Sequence, residues 1–243
     1  MIRWFAAMAV GLAALAPAGI EPTGREVLDL MKAKTVARDR SMEAEMTVRD
    51  RNGREQVRVI RSIMKGDEKM MVTFSEPAEL AGVTFLSVPG GNMWIYLPAN
   101  GRVRRISGSM VSEGFGGSDF SYEEMANISF TGRDSVVATE AVELGGRPAW
   151  LLTMDDSGEL TRLWVDRERH VPLQVEQLGP GGAVTKRVEL GDFRVSAGLQ
   201  LPGRIVMHDL KKGSTTEILV RGFELNTGLP DSRFTEAGMK RGA

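Results

Sequence analysis

The chain has no cysteine, and only two of its 243 residues are histidine. The first absence removes thiol nucleophiles, thiolate metal sites and structural disulfides from consideration. The second leaves little for imidazole chemistry. His170 stands in "DRERHVPL", a turn before a strand, and His208 alternates outward in "IVMHDL". Neither has another histidine or a carboxylate at metal-ligand spacing. No G-x-S-x-G elbow occurs. Asp155 and Asp156 adjoin Ser157-Gly158, which is turn chemistry rather than a paired acid and base. A basic excess is missing too: 31 Lys and Arg face 32 Asp and Glu, which argues against nucleic acid as a partner. No catalytic residue, metal or cofactor is therefore nominated, and no enzymatic activity is expected.

Long apolar runs are confined to the first twenty residues, "MIRWFAAMAVGLAALAPAGI". A basic start at Arg3, an apolar run from Trp4 to Leu15 and an Ala16-Pro17-Ala18 site form the pattern of a secretory signal peptide. The expectation is cleavage after residue 18 and a single exported domain over 19–243. Without Arg3 the basic count falls from 31 to 30 against 32 acids, a net charge of −2.

The rest of the chain is rich in two kinds of period. Thr23-Gly24-Arg25-Glu26 reads as a capping box, and Val27, Leu28, Leu30 and Met31 give one apolar stripe, so a helix is expected from about Pro22 to Lys34. The period then changes to two. "SMEAEMTVRD" alternates, Asn52-Gly53 signals a hairpin, and "EQVRVIRSIM", "KMMVTFSEP", "GVTFLSV", "MWIYLP" and "RVRRIS" continue the series. Strands resume after residue 135 and run to "TTEILVRGFEL". About eleven strands are expected with no βαβ rhythm, so the fold class is mainly β with a few helices, an antiparallel sheet. A twisted sheet of that length curls. Its concave face must be closed or plugged, and two helices leave room for an apolar cavity. Alternation nominates Met46, Val48, Val59, Ile63, Val72, Phe74, Ile95 and Val103 as cavity or core lining, with Arg58 on the other face. The 14 methionines suit either ordinary core filling or adaptable binding of apolar ligands.

One stretch breaks the strand series: "GSMVSEGFGGSDFSYEEMA", 108–126. Its "GFGGSD" lacks a P-loop lysine, a parallel strand before it and a long helix after it, so it is no phosphate cradle. It reads either as a hairpin insertion or as a glycine-flexed gate carrying Met110, Val111 and Phe115 to the cavity mouth. Ser118 or Asp119 would cap a short helix with Phe120, Tyr122 and Met125 as its apolar face. Arg102, Arg104 and Arg105, just before it, form either a solubilising edge strand or a basic rim.

Three segments, "MVTFSEPAELAGVTFLSV", "MWIYLPANGRVRRISGS" and "GGSDFSYEEMA", with the tail "VRGFELNTGLPDSRF", resemble periplasmic outer-membrane lipoprotein-sorting proteins of the LolA-like family. The likeness runs from about Val27 to Phe234. It implies an incomplete β-barrel of about eleven strands covered by helices. It also implies a periplasmic carrier whose apolar cavity takes lipoprotein acyl chains or other lipids. An inner-membrane transporter as donor and an outer-membrane acceptor are the partners it implies. In the family an arginine tethers the lid, and Arg61, Arg104 and Arg105 are the candidates. The alternative is a periplasmic sensor or accessory subunit that binds without transport.

Overall fold

The computed structural model describes residues 21–129, 135–156 and 158–242. The expected signal peptide, 1–18, lies outside them. The Thr23 hydroxyl accepts the Glu26 N–H, and the Glu26 carboxylate accepts the Thr23 N–H at 2.7 Å. This box starts helix α1 (Gly24–Thr35), whose Val27, Leu28 and Met31 are buried.

Six strands come next as a meander: β1 (Asp39–Arg49), β2 (Glu55–Lys65), β3 (Lys69–Glu76), β4 (Thr84–Val88), β5 (Asn92–Leu97) and β6 (Arg102–Ile106). After a short helix α2 (Tyr122–Ala126), a second meander begins. It comprises β7 (Val136–Leu144), β8 (Arg147–Asp156), β9 (Glu159–Asp166), β10 (Pro172–Leu178) and β11 (Val184–Gly191). A side hairpin, β12 (Arg194–Ser196) and β13 (Leu199–Leu201), leads to β14 (Arg204–Asp209) and β15 (Ser214–Leu225), and the one-turn helix α3 (Glu236–Met239) comes last. Thirteen strands form one antiparallel sheet in the order β6-β5-β4-β3-β2-β1-β15-β14-β11-β10-β9-β8-β7. The expected class is correct, and the main sheet has two more strands than expected. Strands β6 and β7 are unpaired edges, so the curved sheet is an open half-barrel.

Register assigns the faces. Directly opposed residues Met42, Ser62, Val72, Phe85, Ile95 and Arg104 make one row across β1 to β6 on the concave face. The adjacent row, Ser41, Ile63, Met71, Leu86, Trp94 and Arg105, lies on the convex face. That second row is not a solvent face. Ile63, Met71 and Leu86 are buried under Phe234 and Met239, with Trp94, Tyr96 and Val103 alongside. The segment that brings those two residues is held by its own polar bonds. Asp39 accepts the Thr227 N–H at 2.7 Å and the Gly228 N–H at 3.0 Å, and Lys69 reaches Asp231 at 2.9 Å.

Three cavity nominations and the face of Arg58 are corrected by this covering and the register. Ile63 and Val103 belong to the convex cluster, and Val59 stands opposite Glu45 on the same outer side. Arg58, read as outward, is opposite Met46 and is buried on the concave side. The physical reason is that this half of the sheet is apolar on both faces. Alternation then separates the two faces without saying which is inner.

Burying Ile63 beneath Phe234 makes a measurable claim: Ile63→Ala should destabilise by about 2–5 kcal/mol in urea unfolding. Burial works to raise the Asp39 pKa, but the bonds from Gly228 and Thr227 outweigh it and hold the carboxyl below its ordinary value. A depressed carboxyl stabilises the fold above its unfolded pKa, and this is lost as pH falls through the folded value. Thermal midpoints should therefore drop below about pH 4, and Asp39→Asn should flatten that part of the profile.

Candidate functional site

The chain between β6 and β7 has to cross from one open edge of the sheet to the other. Residues 107–129, which follow β6, fill the concavity. Phe115 and Phe120 are each 1% exposed, so the stretch is a plug rather than a surface loop. Phe115 stacks on Phe74 with ring centroids 5.0 Å apart, and its edge contacts are Phe85 at 5.7 Å and Tyr122 at 5.8 Å. Such contacts add about 0.5–1.5 kcal/mol each beyond area burial. Burial, with Glu113 adding to it, pushes the Tyr122 phenol up.

The glycines serve this packing. Gly116 has φ +54, and a Cβ there would meet the Phe74 ring at 2.4 Å. At Gly114 it would meet the Ser118 carbonyl oxygen at 2.5 Å. These positions are close approaches rather than hinges. Helix α2 starts at Ser121, not at Ser118 or Asp119: the Ser121 hydroxyl accepts the Glu124 N–H, and Glu124 returns to the Ser121 N–H at 2.7 Å. Asp119 is used differently. Its buried carboxylate accepts the hydroxyls of Ser214 and Thr216 on β15, the latter at 2.8 Å. Lys186 on β11 donates to the Asp119 carbonyl at 2.8 Å and pairs with Glu124 at 2.7 Å, and Gln177 on β10 reaches Glu124 at 2.6 Å. The plug is thus tied by aromatic contacts to one half of the sheet and by polar ones to the other.

Beside the plug an apolar cleft remains. It is narrow: about 70 Å³ of it admits a water-sized sphere, below the roughly 300–1,000 Å³ of small-molecule sites. Val36 and Ala37, after α1, border it on one side. Its walls are Met42, Ile60, Met64, Met70 and Val72 from β1 to β3, and Leu190, Ile205, Ile218, Val220 and Phe223 from β11, β14 and β15. Met125 and Ile128 close it towards the plug, and Leu201 and Pro202 flank it. Arg40 is the one charged residue among the described lining.

Of the eight residues nominated from sequence, Val72 lines the cleft. Met46 and Phe74 belong to the core under the plug, with Val48 and Ile95 packed against it. Of the six nominated for a gate, Phe115, Phe120, Tyr122 and Met125 are core members and Met110 and Val111 pack on them; Met125 alone touches the cleft. Arg102 and Arg104 stand at the open edge on β6 with Arg105, which points the other way and donates to Asn92 at 2.9 Å. Arg61 is convex and bonds Glu43. Arg58, by contrast, lies against the plug, near Gly117, and donates to the Gln56 side chain at 3.0 Å. The walls from β14 and β15 went unnominated because β15 joins β1 some 170 residues away in the chain and β14 follows on from it. Asp119, Lys186 and Arg40 carry no motif that would flag them.

Solved structures place this arrangement. A domain described as an outer membrane lipoprotein-sorting protein from Vibrio parahaemolyticus is 25% identical, with TM-score 0.78, over 90% of this chain and 98% of that one. A DUF1329 family protein from Desulfovibrio piger is 21% identical, with TM-score 0.79, over 89% and 97%. A LolA superfamily protein from Nitrosomonas europaea is 21% identical, with TM-score 0.73, over 90% and 100%. The open sheet with its plugged concave face is the LolA-like fold, as the sequence resemblance implied. A family model described as "-like: Uncharacterized protein" matches residues 66–241, and the chain belongs to that family. No curated protein matches the chain.

The close approach at Gly116 predicts that Gly116→Ala breaks the stack on Phe74, at a cost of about 1–3 kcal/mol, read by denaturant unfolding. Lys186→Met leaves Glu124 buried without its cation. Amide exchange across 115–128 should then accelerate while exchange in β1 and β15 stays slow.

Proposed function

We propose that the protein is a non-enzymatic carrier in the periplasm, binding lipoprotein acyl chains or other lipids in the cleft and moving them towards the outer membrane. The observation that carries this reading is the cleft itself, an apolar concavity beside a plug that the sheet does not enclose. Non-directional burial suits a carrier. Each methylene buried contributes roughly 0.8 kcal/mol, so affinity grows with chain length and does not require matched polar groups. The lipoprotein-sorting description of the Vibrio domain and the signal-peptide pattern support the compartment and the cargo class. An inner-membrane donor and an outer-membrane acceptor complete the proposal, and the arginines at the β6 edge are the basic rim it offers to them.

Mass spectrometry of an organic extract of the mature protein purified from cells should show co-purified lipid. The purified protein should also release a bound fluorescent fatty acid when challenged with unlabelled lipid. Absence of both would end the reading. Val220→Phe, which narrows the cleft, should weaken probe binding at least tenfold while the protein keeps a cooperative thermal transition, lowered by overpacking.

A further inference from the structure

Two polar groups in the cleft have no oxygen or nitrogen partner among the described residues. The Ser62 hydroxyl is buried, at 2% exposure, and has no hydrogen-bond partner. The Arg40 guanidinium is half-buried, meets the Met64 sulfur and has no carboxylate partner among the described residues. The other polar linings differ: Thr35 donates to the Met31 carbonyl at 2.8 Å, and Ser129 is engaged. Asp39, adjacent to Arg40, is already taken by Thr227 and Gly228. Arg40 opposes Met64 and Ser62 opposes Met42, so the two are diagonal neighbours on the concave face, roughly 7–8 Å apart at the backbone.

An orphaned buried hydroxyl is costly, and a half-buried guanidinium without a counter-charge loses part of its hydration. Burial pushes the Arg40 pKa down to about 10, which still leaves it cationic at neutral pH. A site that holds a positive charge and a free donor, and supplies no internal anion, is complementary to an anion that arrives with the ligand. Low polarity around it strengthens that attraction.

We propose that Arg40 and Ser62 form a head-group subsite for an anionic lipid. Arg40 receives the carboxylate or phosphate, Ser62 donates to a further oxygen, and the chain lies along Ile60, Val72, Ile218 and Val220. This rests on the acyl-binding reading and narrows it, since ester- and amide-linked acyl groups are neutral and would leave Arg40 unpaired.

The test uses the mature protein loaded with N-phenyl-1-naphthylamine, a neutral fluorescent probe of the cleft. Palmitate, palmitoyl lysophosphatidate and monopalmitoylglycerol compete for it, all with the same chain. Palmitate or lysophosphatidate should displace the probe at least tenfold more effectively than monopalmitoylglycerol. Arg40→Met should erase that advantage while keeping probe and monopalmitoylglycerol binding, and Arg40→Lys should keep part of it. If the neutral lipid competes as well as both anions on the unmodified protein, the subsite is overturned while the acyl-binding cleft stands. If neither the probe nor any of the three lipids binds, the cleft reading fails with it. The unmodified protein decides between these outcomes even if the Arg40 variants fold poorly.

Discussion

The pairing of β1 with β15 is the contact on which the rest depends. It joins two meanders into a thirteen-strand sheet, with Met46 opposite Ile218 and Ala44 opposite Val220. Each meander is built from local hairpins. The seam is not local, and only when it forms does a sheet exist that is wide enough to curl. At about 20–25° of twist per strand pair, a sheet of this width becomes a concavity rather than a slab. Both walls of the cleft arise from that one join, since β2 and β3 come from one half and β11 and β14 from the other.

The open edges have the same topological origin. Because the first meander ends at β6 and the second starts at β7, the connecting segment has to span the mouth. A polar crossing would have left the concave face exposed. The stretch instead carries Phe115, Phe120, Tyr122 and Met125 inward and satisfies its backbone through Asp119, Ser121, Glu124 and Lys186. Its two anchorages differ in kind. The aromatic side is tight-packed and intolerant of added volume, while the polar side is a small set of charge-assisted bonds that can be broken and remade. This division places the charge-assisted contacts on β10, β11 and β15 and the aromatic ones on β3 and β4.

The cleft shows the opposite economy. Its walls are thioethers and branched aliphatics, and Ser62 and Arg40 in them have no oxygen or nitrogen partner among the described residues. Elsewhere the protein engages its buried carboxylates closely: Asp39 and Asp119 each have several donors. The head-group subsite proposed at Arg40 and Ser62 is where a ligand would supply what the fold does not.

Much of the architecture was legible in the residues alone. The Thr23–Glu26 capping box determined where α1 begins, period-two alternation and Asn-Gly turns determined the strands, and the lack of βαβ rhythm determined that the sheet is antiparallel. All of these are local, and local chemistry survives translation into sequence. Which side of the sheet is inner was not local. Val59, Ile63 and Val103 alternate as cleanly as Met42 and Val72, but a segment around Phe234 and Met239 covers Ile63 and Val103 from outside. The glycines around Phe115 read as flexibility and proved to be clearance for neighbouring atoms. Arg40 reads as one more surface cation until β1 meets β2 and β15 and sets it half-buried in the cleft wall. Tertiary structure decided these points because burial depends on what packs above a residue, and that neighbour here lies from tens of residues to almost two hundred away along the chain.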